Sequence, residues 1–210
     1  MKISAFVGSF GLLLGLLIGG STRVSAADAT NQTSTATAST NEVAVIHTTE
    51  GDMVIQFWTD AAPNTIENFK KLSRQGFYDG TAFHRVIPGF MIQGGDPNTT
   101  NLTSERLYGH GDPGYTIPDE FNSHIHERGV ISMASLGIPH SAGCQFFICH
   151  GSADSPSLQN LNGKYTTFGK LIKGDDVLEK IATTSTHGPN IPDKRMGVIS
   201  IKIVPADSIK

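Results

Sequence analysis

Two short apolar runs meet between Phe83 and Asp96, in the stretch Phe83-His84-Arg85-Val86-Ile87-Pro88-Gly89-Phe90-Met91-Ile92-Gln93-Gly94-Gly95-Asp96. Pro88-Gly89 is turn chemistry, because proline presets one backbone dihedral and glycine accepts a positive one. Strand-like runs this close together have room only for antiparallel pairing. An isolated hairpin is marginal in water, so this one has to belong to a larger sheet. It also carries an arginine, Arg85, among large apolar neighbours. A guanidinium is seldom buried alone. Arg85 therefore either snorkels to water from an edge strand or serves a site.

The rest of the chain supplies the sheet. Val43–Thr48 and Met53–Trp58 flank the turn Thr49-Glu50-Gly51-Asp52 and read as a hairpin. Asp60-Ala61-Ala62-Pro63 opens a helix whose buried face is Ile66, Phe69 and Leu72 and which stops at Gly76. Further strands are predicted over 129–134, 145–149 and 165–173, with a closing strand from Val198 to Val204. A second helix begins at Gly174-Asp175-Asp176 and buries Val177, Leu178, Ile181 and Ala182. Residues 96–122 and 151–164 are irregular and rich in turn residues, and loops of that length are usually functional or mobile. With 23 glycines and about eight strands against two helices, the chain is predicted to be mainly β. A closed eight-stranded antiparallel β-barrel capped by two α-helices removes the strand edges and buries both helix faces.

The N-terminus has a different character. Lys2, an apolar run from Phe6 to Gly20, and Val24-Ser25-Ala26 have the layout of a secretory signal peptide over 1–26, cleaved near Ala26. Residues 27–41 are Thr, Ser, Ala, Asn and Gln with few charges and read as a flexible tether. The folded domain is then expected over 42–205, with a tail at 206–210. An exported protein follows, periplasmic or secreted, with no stable membrane insertion after cleavage; the apolar run is short for a membrane span. A net charge of −3 argues against a nucleic-acid partner, and a monomer is expected. Cys144 and Cys149 lie five residues apart across a strand-like segment, a poor geometry for a disulfide, and both read as free thiols.

Strand parity converts these elements into a candidate site. If the chain reverses at Pro88-Gly89, Arg85 lies opposite 92–93, Met91 shares a face with Gln93, and Gln145 shares one with Phe147. One surface thus carries a cation, two amides able to hold it, and apolar walls. It offers neither a nucleophile paired with a base nor a carboxylate dyad. The eight histidines show no metal-ligand spacing, so no metal and no cofactor are implied, and His124 and His126 are expected to be solvated in a loop. Such a surface suits an apolar hydrogen-bonding ligand, or a reaction needing no proton transfer and no covalent intermediate.

The run Phe83–Asp96, with Ser132-Met133-Ala134, Gln145-Phe146-Phe147-Ile148-Cys149, Leu161-Asn162-Gly163-Lys164-Tyr165 and Phe168-Gly169 in that order, resembles the cyclophilin family of peptidyl-prolyl cis-trans isomerases. The likeness extends over about 42–205 and implies the same capped eight-stranded barrel. It implies Arg85 as the catalytic residue and Phe90, Met91, Phe147, Leu161 and Tyr165 as the proline pocket. Gln93, Ala134, Ser135 and Gln145 would bind the flanking peptide as an extended strand. Proline-containing unfolded or extended segments are the implied partners. The alternative is a peptide-binding holdase with little turnover.

Three positions depart from the family pattern. Asn160 stands where members that bind cyclosporin tightly usually carry tryptophan, Ser135 where many have asparagine, and Tyr165 where many have histidine. Weak cyclosporin binding is the expected outcome; nanomolar affinity in a calorimetric titration contradicts it.

Overall fold

The computed structural model describes residues 41–209; the expected signal segment and all but the last residue of the tether lie outside the described residues. In chain order come β1 (Glu42–Thr48), β2 (Gly51–Phe57), α1 (Pro63–Arg74), β3 (Ala82–Phe83), β4 (Arg85–Ile87) and β5 (Met91–Gly94). After a long loop follow β6 (Val130–Met133), β7 (Phe146–Cys149), α2 (Pro156–Gln159), β8 (Thr167–Lys173) and α3 (Asp175–Ala182). A small hairpin of β9 (Thr186–His187) and β10 (Ile191–Pro192) precedes the long β11 (Met196–Pro205).

Nine strands form one antiparallel sheet in the order β3-β11-β1-β2-β8-β6-β7-β5-β4. Its two ends are neighbours in sequence, since only His84 separates β3 from β4. The His84 N–H donates to the Gln93 carbonyl at 2.9 Å, so the chain that pairs with β11 through β3 goes on to pair with β5 through β4. That seam closes the sheet. Counting the broken strand once gives the eight staves expected from the sequence; the ninth is one strand split by a change of partner.

Alternation decides what each stave buries. Val86, Ile92, Phe146 and Ile148 point into the main core with Ala44, Ile46, Met53, Ile55 and Ile131. Their chain neighbours Met91, Phe147 and Cys149 point outward into a second cluster with Leu158, against which Phe90, Leu161 and Tyr165 pack. The inner core centres on Phe69 of α1, whose ring lies 5.3–6.0 Å from those of Phe57, Tyr78, Phe146 and Phe168.

Helix α1 begins at Pro63 with no cap from its own preceding residue, Ala62. Glu120 supplies the cap from the long loop. It accepts the Asn64 N–H at 3.0 Å and the Thr65 N–H at 2.7 Å, two of the donors a helix start leaves unpaired. Burial alone would raise this carboxyl's pKa, but the hydrogen bonds from Thr65 and Asn64 outweigh it and hold the group below its ordinary range. A depressed folded-state pKa means stability that is full above the unfolded value and lost as pH falls through the folded one. Glu120→Ala is therefore expected to cost about 1 kcal/mol in urea unfolding at pH 7, the size of a lost N-cap. The difference from wild type should shrink below about pH 4, near and below the unfolded carboxyl value.

The remaining differences from the sequence reading are local. The short α2 lies in the segment read as irregular, and 96–122 contains two 3₁₀ turns, Pro97–Thr100 and Glu105–Leu107. The first is capped by buried Asp96, which accepts the Asn98 N–H at 2.7 Å and also the Gly109 N–H. His126 corrects an expectation: it is buried, not solvated. Its backbone N–H and Nδ1 both meet Asn162 Oδ1, and Nε2 lies 3.1 Å from Ser132 Oγ. Burial lowers its pKa against the opposing Asn162 hydrogen bond. His124 is exposed, but it stacks on Trp58 with ring centroids 3.8 Å apart.

Candidate active site

The seam hairpin places Arg85. Its register sets Arg85 opposite Gln93, Val86 opposite Ile92 and Ile87 opposite Met91, so Arg85 and Gln93 leave the barrel on the same outer side. Gln93 is in turn opposite Phe147 of β7. Gln145, one residue before β7, joins the same surface. A line of amides results. Arg85 Nη1 donates to Gln93 Oε1 at 3.3 Å, Gln93 Nε2 donates to Gln145 Oε1 at 3.1 Å, and Gln145 Nε2 donates to the Gly109 and Gly111 carbonyls at 3.0 and 2.8 Å. The loop after β5 thus anchors the far end of the chain that holds the guanidinium. Among the described residues Arg85 makes this one hydrogen bond and no ion pair, leaving most of its five N–H donors for a ligand. Its neighbour His84 is forced down to about 4 by burial, with the Arg85 charge acting in the same direction and Asp96 against it, so at neutral pH His84 adds no charge beside Arg85.

A cavity of about 110 Å³ opens next to the guanidinium. Phe90, Met91, Phe147, Leu161 and Tyr165 are its apolar walls, while Arg85, Gln93, Ala134 and Ser135 line its polar side. These are nine of the ten residues singled out from the sequence. The tenth, Gln145, lies beyond Gln93 in a second, larger cavity of about 640 Å³ that shares Gln93, Ala134 and Ser135 with the first. Phe147 is fixed on both sides: Tyr165 meets it edge-on at 6.0 Å, and His126 stacks behind it at 5.8 Å. The Ala134 N–H donates to the Gln145 carbonyl at 2.9 Å, so the backbone between the two cavities is tied down.

Chemically the arrangement is spare. It consists of one permanent cation on rigid strands, a ring-sized apolar recess beside it, and an open groove beyond. Neither thiol adds a reactive group, although Cys144 lines the larger cavity. Cys144 and Cys149 are buried and unpaired with each other, and burial, with nearby carboxylates acting the same way, pushes both up to about 12. Low-pKa, exposed character is what a reactive thiol needs, and neither has it.

Parity could not find His126, because an isolated histidine in a stretch without periodicity carries no signal of what lies behind it. Nor could it find the Gly109 and Gly111 carbonyls that orient Gln145, since any residue presents a carbonyl.

The sequence model of the family described as cyclophilin-type peptidyl-prolyl cis-trans isomerase matches residues 43–203. A peptidyl-prolyl cis-trans isomerase of Synechococcus elongatus is 44% identical over 161 residues, covering 77% of this chain and 95% of that protein. The crystal structure of a cyclophilin-type isomerase of Cryptosporidium parvum superposes with a TM-score of 0.69 at 34% identity, over 78% of this chain and 97% of that one. The same parasite protein in the presence of the dipeptide Ala-Pro gives 0.68 at 33% identity, over 77% and 98%. Barrel, seam and sequence agree along the described domain, and the chain belongs to the cyclophilin-type peptidyl-prolyl cis-trans isomerases.

Proposed function

We propose that this isomerase works by stabilising the twisted state of an X-Pro bond with Arg85 while the prolyl ring sits in the recess of Phe90, Met91, Phe147, Leu161 and Tyr165. Amide resonance keeps the bond planar, and the barrier to rotation is near 20 kcal/mol. As the bond twists, conjugation is lost and the proline nitrogen becomes pyramidal with a localised lone pair. A donor aimed at that nitrogen binds the twisted state more tightly than either planar one, the condition for catalysis. No proton is transferred and no covalent bond is made. The observation that carries this reading is the line Arg85–Gln93–Gln145 bordering a ring-sized apolar cavity. It is a fixed charge, held by neutral amides that leave its donors available.

The flanking peptide would lie extended along Gln93, Ala134, Ser135 and Gln145, and the larger cavity would take a residue on one side of the proline. The relative solved with Ala-Pro supports proline-containing segments as substrates. We further propose that the protein is exported through residues 1–26 and acts on unfolded or newly exported chains, with 27–41 as a spacer. N-terminal sequencing of protein recovered outside the cytoplasm should begin near Ala27.

Turnover separates an enzyme from a holdase. Added at a hundredth of the substrate concentration, the protein is expected to abolish the slow phase of a protease-coupled X-Pro assay. Acceleration only at stoichiometric amounts favours the peptide-holding alternative.

A further inference from the structure

The turn that carries Phe90 is gripped by a residue that touches neither cavity. His150 follows β7 with its side chain only 9% exposed. Its backbone N–H donates to the Phe90 carbonyl at 2.8 Å, and its ring Nδ1 stands 2.8 Å from the Gly89 nitrogen. A peptide N–H can only donate, so Nδ1 is the unprotonated ring nitrogen and the proton sits on Nε2. Nε2 faces Glu179 Oε2 of α3 at 2.9 Å. Glu179 also accepts from Arg128 at 2.8 Å, and Arg128 holds Asp175 and reaches the His150 carbonyl at 3.3 Å. Glu179 and Asp175 of α3, and Arg128 ahead of β6, are thus the charged groups around the ring; the turn itself contributes none. The next residue presses on the same place. A Cβ on Gly151 would lie 2.2 Å from the Gly89 carbonyl oxygen.

We propose that His150 is a positioning residue of the isomerase site: by accepting the Gly89 N–H it clamps the Pro88-Gly89-Phe90 turn onto α3 and sets the Phe90 wall of the proline recess. The bonds at Gly89 N–H and at the Phe90 carbonyl bracket the Phe90 Cα, and both come from this one residue. Without the ring acceptor, one end of the bracket opens and the turn exchanges partners with water. The inference rests on the pocket reading above, in which Phe90 touches the prolyl ring. It would do so in planar and twisted states alike, so misplacing it weakens both equally. Loss of uniform binding raises KM and leaves kcat in place.

The test uses the full chain and three variants. His150→Asn puts an amide oxygen near the place of Nδ1, His150→Gln puts an amide nitrogen near that of Nε2, and His150→Leu removes both. His150→Asn is expected to stay close to wild type. His150→Gln and His150→Leu should raise KM about three- to tenfold at unchanged kcat, the range of one net hydrogen bond. The Gly89 amide should exchange faster with solvent in those two variants alone. Equal losses in the Asn and Gln variants, or a fall in kcat at constant KM, overturn the proposal. Exchange that ignores the Asn/Gln difference overturns the clamp itself. Exchange that follows the pattern while KM stays put overturns the role in binding and locates the failure in the pocket assignment.

Discussion

Arg85→Ala is expected to lower kcat/KM for an X-Pro peptide by roughly 10²–10³-fold, the loss seen when one preorganised donor is removed from a water-poor site. The fall should lie in kcat. In the proposed mechanism Arg85 gains most of its interaction as the proline nitrogen pyramidalises, so the ground-state complex would lose little and KM would move little. Arg85→Lys refines the test. Lysine keeps the charge but not the planar fork that Gln93 Oε1 holds. An intermediate rate is expected, because a mobile ammonium aims fewer donors at a fixed point. Thermal unfolding should be close to wild type for both variants, since Arg85 is only half-buried and makes one hydrogen bond. Rates for Arg85→Ala within a few fold of wild type, by protease-coupled assay or exchange spectroscopy, would remove the guanidinium from the mechanism.

Phe69→Ala should produce the largest loss of stability, about 3–5 kcal/mol. The side chain is fully buried, and four other aromatic rings lie within 6.0 Å of its own. Those neighbours come from β2, β7, β8 and the segment after α1, so the space left by the ring cannot close by moving one element. A domain of this kind has about 5–15 kcal/mol in all. The variant should therefore unfold at a much lower denaturant concentration with an unchanged slope. The protein that remains folded should still isomerise, because Phe69 meets Phe146 on the inner side of β7 while Phe147 faces the cavity on the outer side. A shift smaller than that of Glu120→Ala would contradict this account of the core.

How much of the site was readable follows from the range of the interactions that make it. Arg85, Met91 and Gln93 share a face because a tight turn joins two short strands, and parity across such a turn is local. Gln145 and Phe147 share a face because they lie two residues apart in one extended run. Pairing the two sets was a longer step; the register of β5 against β7 makes it, setting Gln93 opposite Phe147. The family resemblance supplied Leu161 and Tyr165, which no periodicity would have joined to Arg85. The contacts that hold the site in place were silent. Glu120 caps a helix 55 residues away, His126 supports Phe147 from behind, and His150 takes the Gly89 N–H from 61 residues away.

The amino-acid sequence by itself determined the strands of the main sheet, the two main helices, the turn at Pro88-Gly89 and the shared faces of Met91 with Gln93 and of Gln145 with Phe147; the small β9–β10 hairpin carried no such signal. These are set by period, turn chemistry and side-chain size within a few residues. Only the tertiary structure decided that β3 and β4 are one strand changing partners, so that the arginine sits at the seam where the barrel closes. It also decided which distant backbone carbonyls hold Gln145 and, through it, Gln93. Closure and long-range hydrogen bonding depend on where the whole sheet returns in space, and no local window of sequence carries that distance.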